Sequence, residues 1–306
     1  MIRRVCVAGA GAIGSLYAGH LARVCDVVVL ARREEHARAL VAQGLRVSGR
    51  SNFTARLEAT TAPAELGEVD LVICACKGPD VEPAASALEG HVPAAAVMTV
   101  QNGLGAEEAV RRHGDWPLIS GVTFMSGTRH CDTHVEYVLD TATWLGPYGA
   151  TPLESVREAA DLIASSGLNA EAFEDLRPAQ WSKLIFNATV NAVAALTGLP
   201  HDRHFVAEER PSDLGHLVRA LVAEGKAVAA AASIPLREDP WEMNVLATRR
   251  GSAHFPSMLE DVEARRPTEI ETITGALVRE AGRVGVPVPL HMALYRLVKA
   301  KEDSYR

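Results

Sequence analysis

The sequence predicts an α/β fold in two parts, an N-terminal parallel-sheet domain followed by an all-helical C-terminal domain. Three observations carry this. Short β-rich runs alternate with helical patterns over about the first 175 residues, the signature of parallel strands joined by crossover helices. A glycine motif, Gly9-Ala10-Gly11-Ala12-Ile13-Gly14, directly follows the first such run. From about Asp175 strand signals nearly vanish and apolar residues recur with helical period. At 306 residues the chain is about twice the usual ~100–200 residues of one domain, so domains at 1–174 and 175–306 are expected.

In chain order, strands are expected at residues 4–8, 27–30, 71–76 and 97–100. Val5-Cys6-Val7-Ala8 and Leu71-Val72-Ile73-Cys74 are apolar throughout, as strands buried on both faces should be. Residues 118–123 and 134–145 alternate more and fit edge strands or a meander. A first helix is expected at 15–22, and later ones at 181–195, 214–233, near 256–264, 269–284 and 290–301. The breakers Pro200, Pro211, Pro235, Pro267 and the pair Pro287 and Pro289 fall between these helices. Nothing near 174–176 is rich in glycine or serine, so the linker is short.

Composition narrows the function classes. The chain is 48% hydrophobic and 23% charged, with a net charge of −7 that argues against nucleic acid or anionic membrane as a partner. Its longest apolar helix candidate, 217–234, is interrupted by Arg219, Glu224 and Lys226, so no membrane span is expected. The opening Met1-Ile2-Arg3-Arg4 has the look of a signal peptide, but the glycine spacing behind it accounts for the same residues as a first strand. Cys6, Cys25, Cys74, Cys76 and Cys131 are odd in number and form no C-x-x-C. All but Cys131 sit in apolar runs, which is reduced, cytoplasmic usage of cysteine as a small hydrophobe.

The glycine motif has a strand before it and a helix after it, the context of a Rossmann-type dinucleotide site. Gly9 permits the tight turn, Gly11 lets backbone approach a pyrophosphate, and Gly14 lets helix pack closely on strand. The phosphates then rest on the helix N-terminus, at Ala12 and Ile13. The second strand ends Val29-Leu30-Ala31-Arg32-Arg33, without the acid that would accept from a ribose 2′-hydroxyl. Arg32, aided by Arg33, can instead pair with a 2′-phosphate, which favours NADP(H) over NAD(H).

A second constellation lies on the helix that opens the C-terminal part. Lys183, Asn187 and Asn191 recur every four residues; each step rotates ~40°, giving one polar stripe about 80° wide. The rest of that helix is apolar on nearly every side, so the stripe is expected to be buried and to need partners. A small substrate bearing a carboxylate, a ketone and a hydroxyl would supply them.

With these pieces in place the chain resembles the ketopantoate reductase (2-dehydropantoate 2-reductase) family over essentially its whole length. The resemblance rests on Gly9–Gly14, on Lys77 after Cys74-Ala75-Cys76, and on Gln101-Asn102-Gly103-Leu104-Gly105. It continues through Trp181-Ser182-Lys183-Leu184 with its two asparagines, Pro256-Ser257-Met258-Leu259-Glu260-Asp261, and Pro267-Thr268-Glu269-Ile270-Glu271. The tail from Gly285 to Glu302 completes it. The resemblance implies NADPH-dependent reduction of a 2-oxo acid to a 2-hydroxy acid, 2-dehydropantoate to pantoate in the first instance, as a step of pantothenate and coenzyme A biosynthesis. Lys183 would be the general acid, and Glu269, the matching catalytic acid of the family, would pair with the lysine or with a substrate hydroxyl. Ser257 would bind the substrate carboxylate, and Asn187 and Asn191 would orient the substrate. Asn102 and Lys77 would lie where nicotinamide meets substrate.

Structural readings of the same residues stand beside these. Thr268 and Glu271 fit a helix capping box, which leaves Glu269 free. Asn102-Gly103 fits a simple turn, Ser257 a helix start, and Lys77 a solvated strand end. The sets His130-Cys131-Asp132 with His134, and His201 with His204, lack the surroundings of a metal site and fit exposed loop histidines. Three departures from the family pattern fall on the substrate side: Ala192 in place of a frequent proline, His201 in place of an asparagine, and the stretch Gly251-Ser252-Ala253-His254-Phe255-Pro256. They leave open a paralogous reductase or dehydrogenase acting on another 2-oxo or 2-hydroxy acid. A non-catalytic NADP-binding sensor is the third reading, and the sequence also leaves a homodimer open.

Overall fold

The computed structural model describes residues 1–206, 212–249 and 255–305. The chain divides into two compact units, one formed by Met1–Gln101 with Ala106–Leu176 and the other by Asn102–Gly105 with Arg177–Arg306. Of the stretch 251–256 noted above, residues 251–254 lie outside the described residues.

The first unit opens with β1 (Arg4–Ala8), α1 (Ala12–Leu21), β2 (Asp26–Leu30) and α2 (Glu34–Gln43). Three short strands follow, β3 (Leu45–Gly49), β4 (Phe53–Ala55) and β5 (Glu58–Thr60). Then come β6 (Leu71–Cys74), α3 (Val81–Leu88), β7 (Ala96–Thr99), α4 (Ala106–Arg111) and β8 (Leu118–Thr123). The unit closes with β9 (Ser126–Cys131), β10 (His134–Leu139), β11 (Thr143–Tyr148), α5 (Leu153–Ser165) and β12 (Ala170–Ala172). Eight strands form one sheet in the order β12-β11-β8-β7-β6-β1-β2-β5. It is parallel from β5 to β8, whereas β11 runs antiparallel to β8. Val5, Cys6 and Val7 on β1 and Leu71, Val72 and Ile73 on β6 are fully buried, as their unbroken apolar runs require. From β1 the chain moves outward through β2 and β5, then returns to place β6 on the other side of β1. The β1/β6 seam is therefore a topological switch point, where open α/β sheets hold ligands at their carboxyl ends.

Residues 134–145 are not one meander. β10 joins a separate four-stranded sheet, β4-β3-β10-β9, while β11 joins the large one. The small sheet covers α1, whose Gly19 leaves no room for a Cβ beside Val47.

The second unit is helical: α6 (Arg177–Thr197), α7 (Asp213–Ala231), α8 (Pro240–Thr248), α9 (Ser257–Glu263), α10 (Thr274–Val284) and α11 (Pro289–Asp303). Helix α6 forms its centre, with Trp181, Leu184, Ile185, Ala188, Val193 and Ala195 in the core. Gly225 allows α7 to approach closely, since a Cβ there would lie 2.6 Å from a methyl of Ile185. The C-terminal carbonyls of α6 are met by Lys301, whose Nζ donates to Ala195 O at 3.2 Å. Glu224 on α7 accepts from the backbone N–H groups of Leu290 and His291 at 3.0 and 3.1 Å, satisfying the first turn of α11.

The capping box expected at Thr268 does not form, and α10 begins at Thr274 rather than Glu269. Glu302 accepts from both the N–H and the hydroxyl of Thr268, at 2.7 and 2.8 Å. Glu271 instead accepts from Tyr295 at 2.9 Å and pairs with Lys299 at 3.1 Å. Two charged side chains of α11 thus claim the groups a capping box needs, and 269–273 becomes a turn. No helix among the described residues is long and apolar enough to cross a membrane.

Candidate functional site

In the first unit the glycine turn lies between β1 and α1. Gly9 has φ +102°, in the region glycine favours, and a Cβ there would lie 2.7 Å from the backbone nitrogen of Cys76. A Cβ on Gly14 would run into the carbonyl oxygen of Gly9. At Gly11 the opposite holds: nothing lies within 4 Å of where a Cβ would stand. No side chain caps α1 at its N-cap, Gly11, so the first-turn N–H groups at Ala12 and Ile13 have no capping side chain. Open space in front of uncapped N–H groups at the positive end of a helix dipole fits a diphosphate.

Arg32 and Arg33 follow β2 and are exposed. Arg32 Nη1 lies 3.5 Å from Asp80 Oδ2, a loose surface pair that a phosphate could displace. Arg33 is held differently: its Nη2 donates to Asp132 at 2.6 Å, and Arg129 donates to the same oxygen at 2.8 Å. Arg33 therefore ties the β9–β10 turn to the end of β2. Lys77 is exposed just past β6 and begins the turn Gly78–Asp80. Gln101 clamps this segment, donating through Nε2 to the carbonyls of Cys74 and Cys76 at 2.8 and 2.9 Å.

In the second unit Lys183, Asn187 and Asn191 are 9%, 8% and 6% exposed, so the stripe is buried as its surroundings on α6 demanded. The Asn102–Gly105 segment supplies one partner. Gly103 has φ +92° and no room for a side chain against Thr272, whose carbonyl accepts from the Leu104 N–H at 2.9 Å. That docking places Asn102 between two other groups. Its Nδ2 donates to Glu269 Oε2 at 3.2 Å, and its Oδ1 accepts from Asn187 Nδ2 at 3.4 Å. Burial pushes the Lys183 ammonium down from an ordinary 10.5 to about 8, while the negative charge of Glu269 opposes the shift. Asn187, Asn102 and Glu269 thus form one hydrogen-bonded chain beside a buried cation whose proton is easily given up. Asn191 lies one turn further along α6. Ser257 stands exposed at the start of α9.

Two features were missed in the sequence. His201 is not an exposed loop residue: it is 2% exposed, contacts the Phe186 and Phe205 rings edge-on, and lies 2.7 Å from Asn244 Oδ1 through Nε2. Nothing local signals this, because Asn244 comes from α8, for which no helix was expected. The role of Asn102 as a bridge was equally hidden, since Asn-Gly alone reads as a turn.

Known proteins similar in sequence and in fold stand beside this one. The sequence pattern of the family described as Ketopantoate reductase PanE/ApbA matches residues 5–150, and that of its C-terminal part matches residues 175–302. The chain is 30% identical over 300 residues to 2-dehydropantoate 2-reductase from Pyrococcus horikoshii, covering 98% of each. Among solved structures it is similar to 2-dehydropantoate 2-reductase from Methylococcus capsulatus, at 30% identity and a TM-score of 0.86, covering 99% of this chain and 97% of the other. It is also similar to a PanE/ApbA family ketopantoate reductase from Ralstonia eutropha JMP134, at 27% identity and a TM-score of 0.89 with 99% of each chain covered.

Proposed function

Because the chain belongs to the ketopantoate reductase family, we propose that it reduces 2-dehydropantoate to pantoate with NADPH, and that Lys183 is the general acid. The observation that carries the mechanism is the buried Lys183 ammonium, brought to about 8 by burial and faced by Glu269. Bound NADPH would supply hydride to the ketone carbon. As negative charge builds on the ketone oxygen, Lys183 stabilises it and delivers the proton, leaving a neutral amine that water reprotonates. A lysine near 8 is suited to this: it is mostly charged at neutral pH yet gives up its proton more readily than a solvated lysine.

The neighbours have distinct tasks. Glu269 keeps the ammonium charged against burial, and Asn102 fixes the carboxylate by donating to it. Asn187 and Asn191 orient the substrate's polar groups along α6, and Ser257 at the start of α9 binds its carboxylate. Ala12 and Ile13 hold the diphosphate with Gly9, Gly11 and Gly14, and Arg32 takes the 2′-phosphate. Lys77 and Asn102 complete the cofactor contacts.

Steady-state NADPH oxidation against a panel of 2-oxo acids tests the whole reading. The highest kcat/KM is expected with 2-dehydropantoate. A different 2-oxo acid as best substrate would move the enzyme to a paralogous reductase, in line with Ala192 and His201. Cofactor binding without turnover on any of them would make it a sensor.

A further inference from the structure

We propose that Cys74 and Cys76 are an oxidative modification site, closing to a disulfide that switches off the phosphate-binding turn. The two sulfurs are 3.6 Å apart at the carboxyl end of β6, on the switch-point seam. Cys74 is 1% exposed, whereas Cys76 is partly exposed, so the proposed route for a small oxidant is from the Cys76 side. The contact also favours ionisation of Cys74, because Cys76 donates to the thiolate and lowers its proton affinity.

The step balances with a hydroperoxide as oxidant. One thiolate of the pair attacks the O–O bond, forming a sulfenic acid and releasing hydroxide. The second sulfur attacks the first, its proton leaving with the displaced hydroxide as water. Two thiols are oxidised by two electrons, and hydrogen peroxide is reduced to two waters. A thiol reductant reverses the change.

The consequence follows from what the segment touches. Cys74 pairs with Ala8 across β1 and β6, and Ala75 N–H donates to Ala8 O at 2.8 Å, directly before the glycine turn. Gly9 lies so close to the Cys76 backbone that even a methyl group would not fit between them. An S–S bond of ~2.05 Å would draw the sulfurs together by about 1.5 Å. That movement strains the segment whose Cys74 and Cys76 carbonyls Gln101 holds, and the Gly9 turn packs directly against the Cys76 backbone nitrogen.

The inference rests on the cofactor reading for its effect, but not for its chemistry, and the test separates the two. The full-length protein, carrying Cys131→Ser to remove the exposed thiol, is treated with hydrogen peroxide and digested with trypsin. The peptide spanning 57–77 contains both cysteines and no other, and should lose two hydrogens in mass, recovered on reduction. NADPH affinity should weaken by roughly tenfold, as expected from the loss of one or two phosphate hydrogen bonds at about 1 kcal/mol each. Saturating NADPH should slow the oxidation. In the Cys76→Ser variant peroxide should leave NADPH affinity unchanged. A peptide that keeps both thiols, or equal loss of affinity in Cys76→Ser, overturns the proposal. If the disulfide forms but neither form binds NADPH, the cofactor reading fails and the modification site stands.

Discussion

If Lys183 donates the proton, kcat/KM should follow its protonation in the free enzyme. With an acid near 8, the protonated fraction falls from about nine-tenths at pH 7 to about one-tenth at pH 9. Reduction of the 2-oxo acid should therefore lose about tenfold in kcat/KM across that interval, while oxidation of the hydroxy acid, which needs the neutral amine as base, should gain over it. Glu269→Gln sharpens the test. The Glu269 charge is what opposes the burial of the ammonium, so its removal should move the falling limb to lower pH. Initial rates of nicotinamide oxidation at subsaturating substrate, in both directions and both proteins, give the profile. A flat profile between pH 7 and 9, with hydride transfer shown to be rate-limiting by a deuterated cofactor, would refute the assignment. So would a limb that stays in place in Glu269→Gln.

Other outcomes follow from the same geometry. Lys183→Ala should lower kcat by ~10²–10⁴-fold with NADPH affinity nearly unchanged, and Lys183→Arg should not restore it; retention of more than about a tenth of wild-type kcat would remove the general-acid role. Arg32→Asp should reverse the preference for NADPH over NADH in fluorescence titrations, because the phosphate partner is replaced by a repelling charge; equal binding of both cofactors by the wild type would remove the argument. Gly11→Ala should weaken NADPH binding without lowering Tm, as its methyl enters open space meant for phosphate, whereas Gly14→Ala should lower Tm as well, because its methyl meets the Gly9 carbonyl. Equal thermal stability of the two variants would contradict that packing. Finally, Lys183 is less basic folded than unfolded, so unfolding takes up a proton between about pH 8 and 10.5 and the wild type gains stability as pH rises through that window. The difference in unfolding free energy between wild type and Lys183→Ala, measured in denaturant at several pH values, should show this rise.

What could be read from the sequence depended on how local the determining forces are. β1 and α6 were plain because unbroken apolar runs and a four-residue polar spacing are properties of the segments themselves. The small sheet was hidden: β4 has three residues, and β3 pairs with β10, placing Arg46 opposite His134. Propensity within either strand carries no trace of that partner. The false capping box at Thr268 failed for the same reason, since its competitors Tyr295, Lys299 and Glu302 belong to another helix. At the site, Lys183 and its asparagines announced themselves by spacing. The bridge through Asn102 needed a glycine turn to dock on Thr272, a long-range contact.

The four residues Asn102–Gly105 have a consequence for how such a protein can be recombined. Because the helical unit borrows them from within the N-terminal half of the chain, it is not inherited as one uninterrupted stretch of gene. A chimera joined after Leu176 would pair the Glu269 of one parent with the Asn102 of the other, and the Thr272 of one with the Gly103 of the other. Exchange between relatives is then tolerated only where both sides preserve that small docking surface. A graft that carries 102–105 together with 177–306 keeps the polar chain intact, and that is the natural unit to exchange between members of the family.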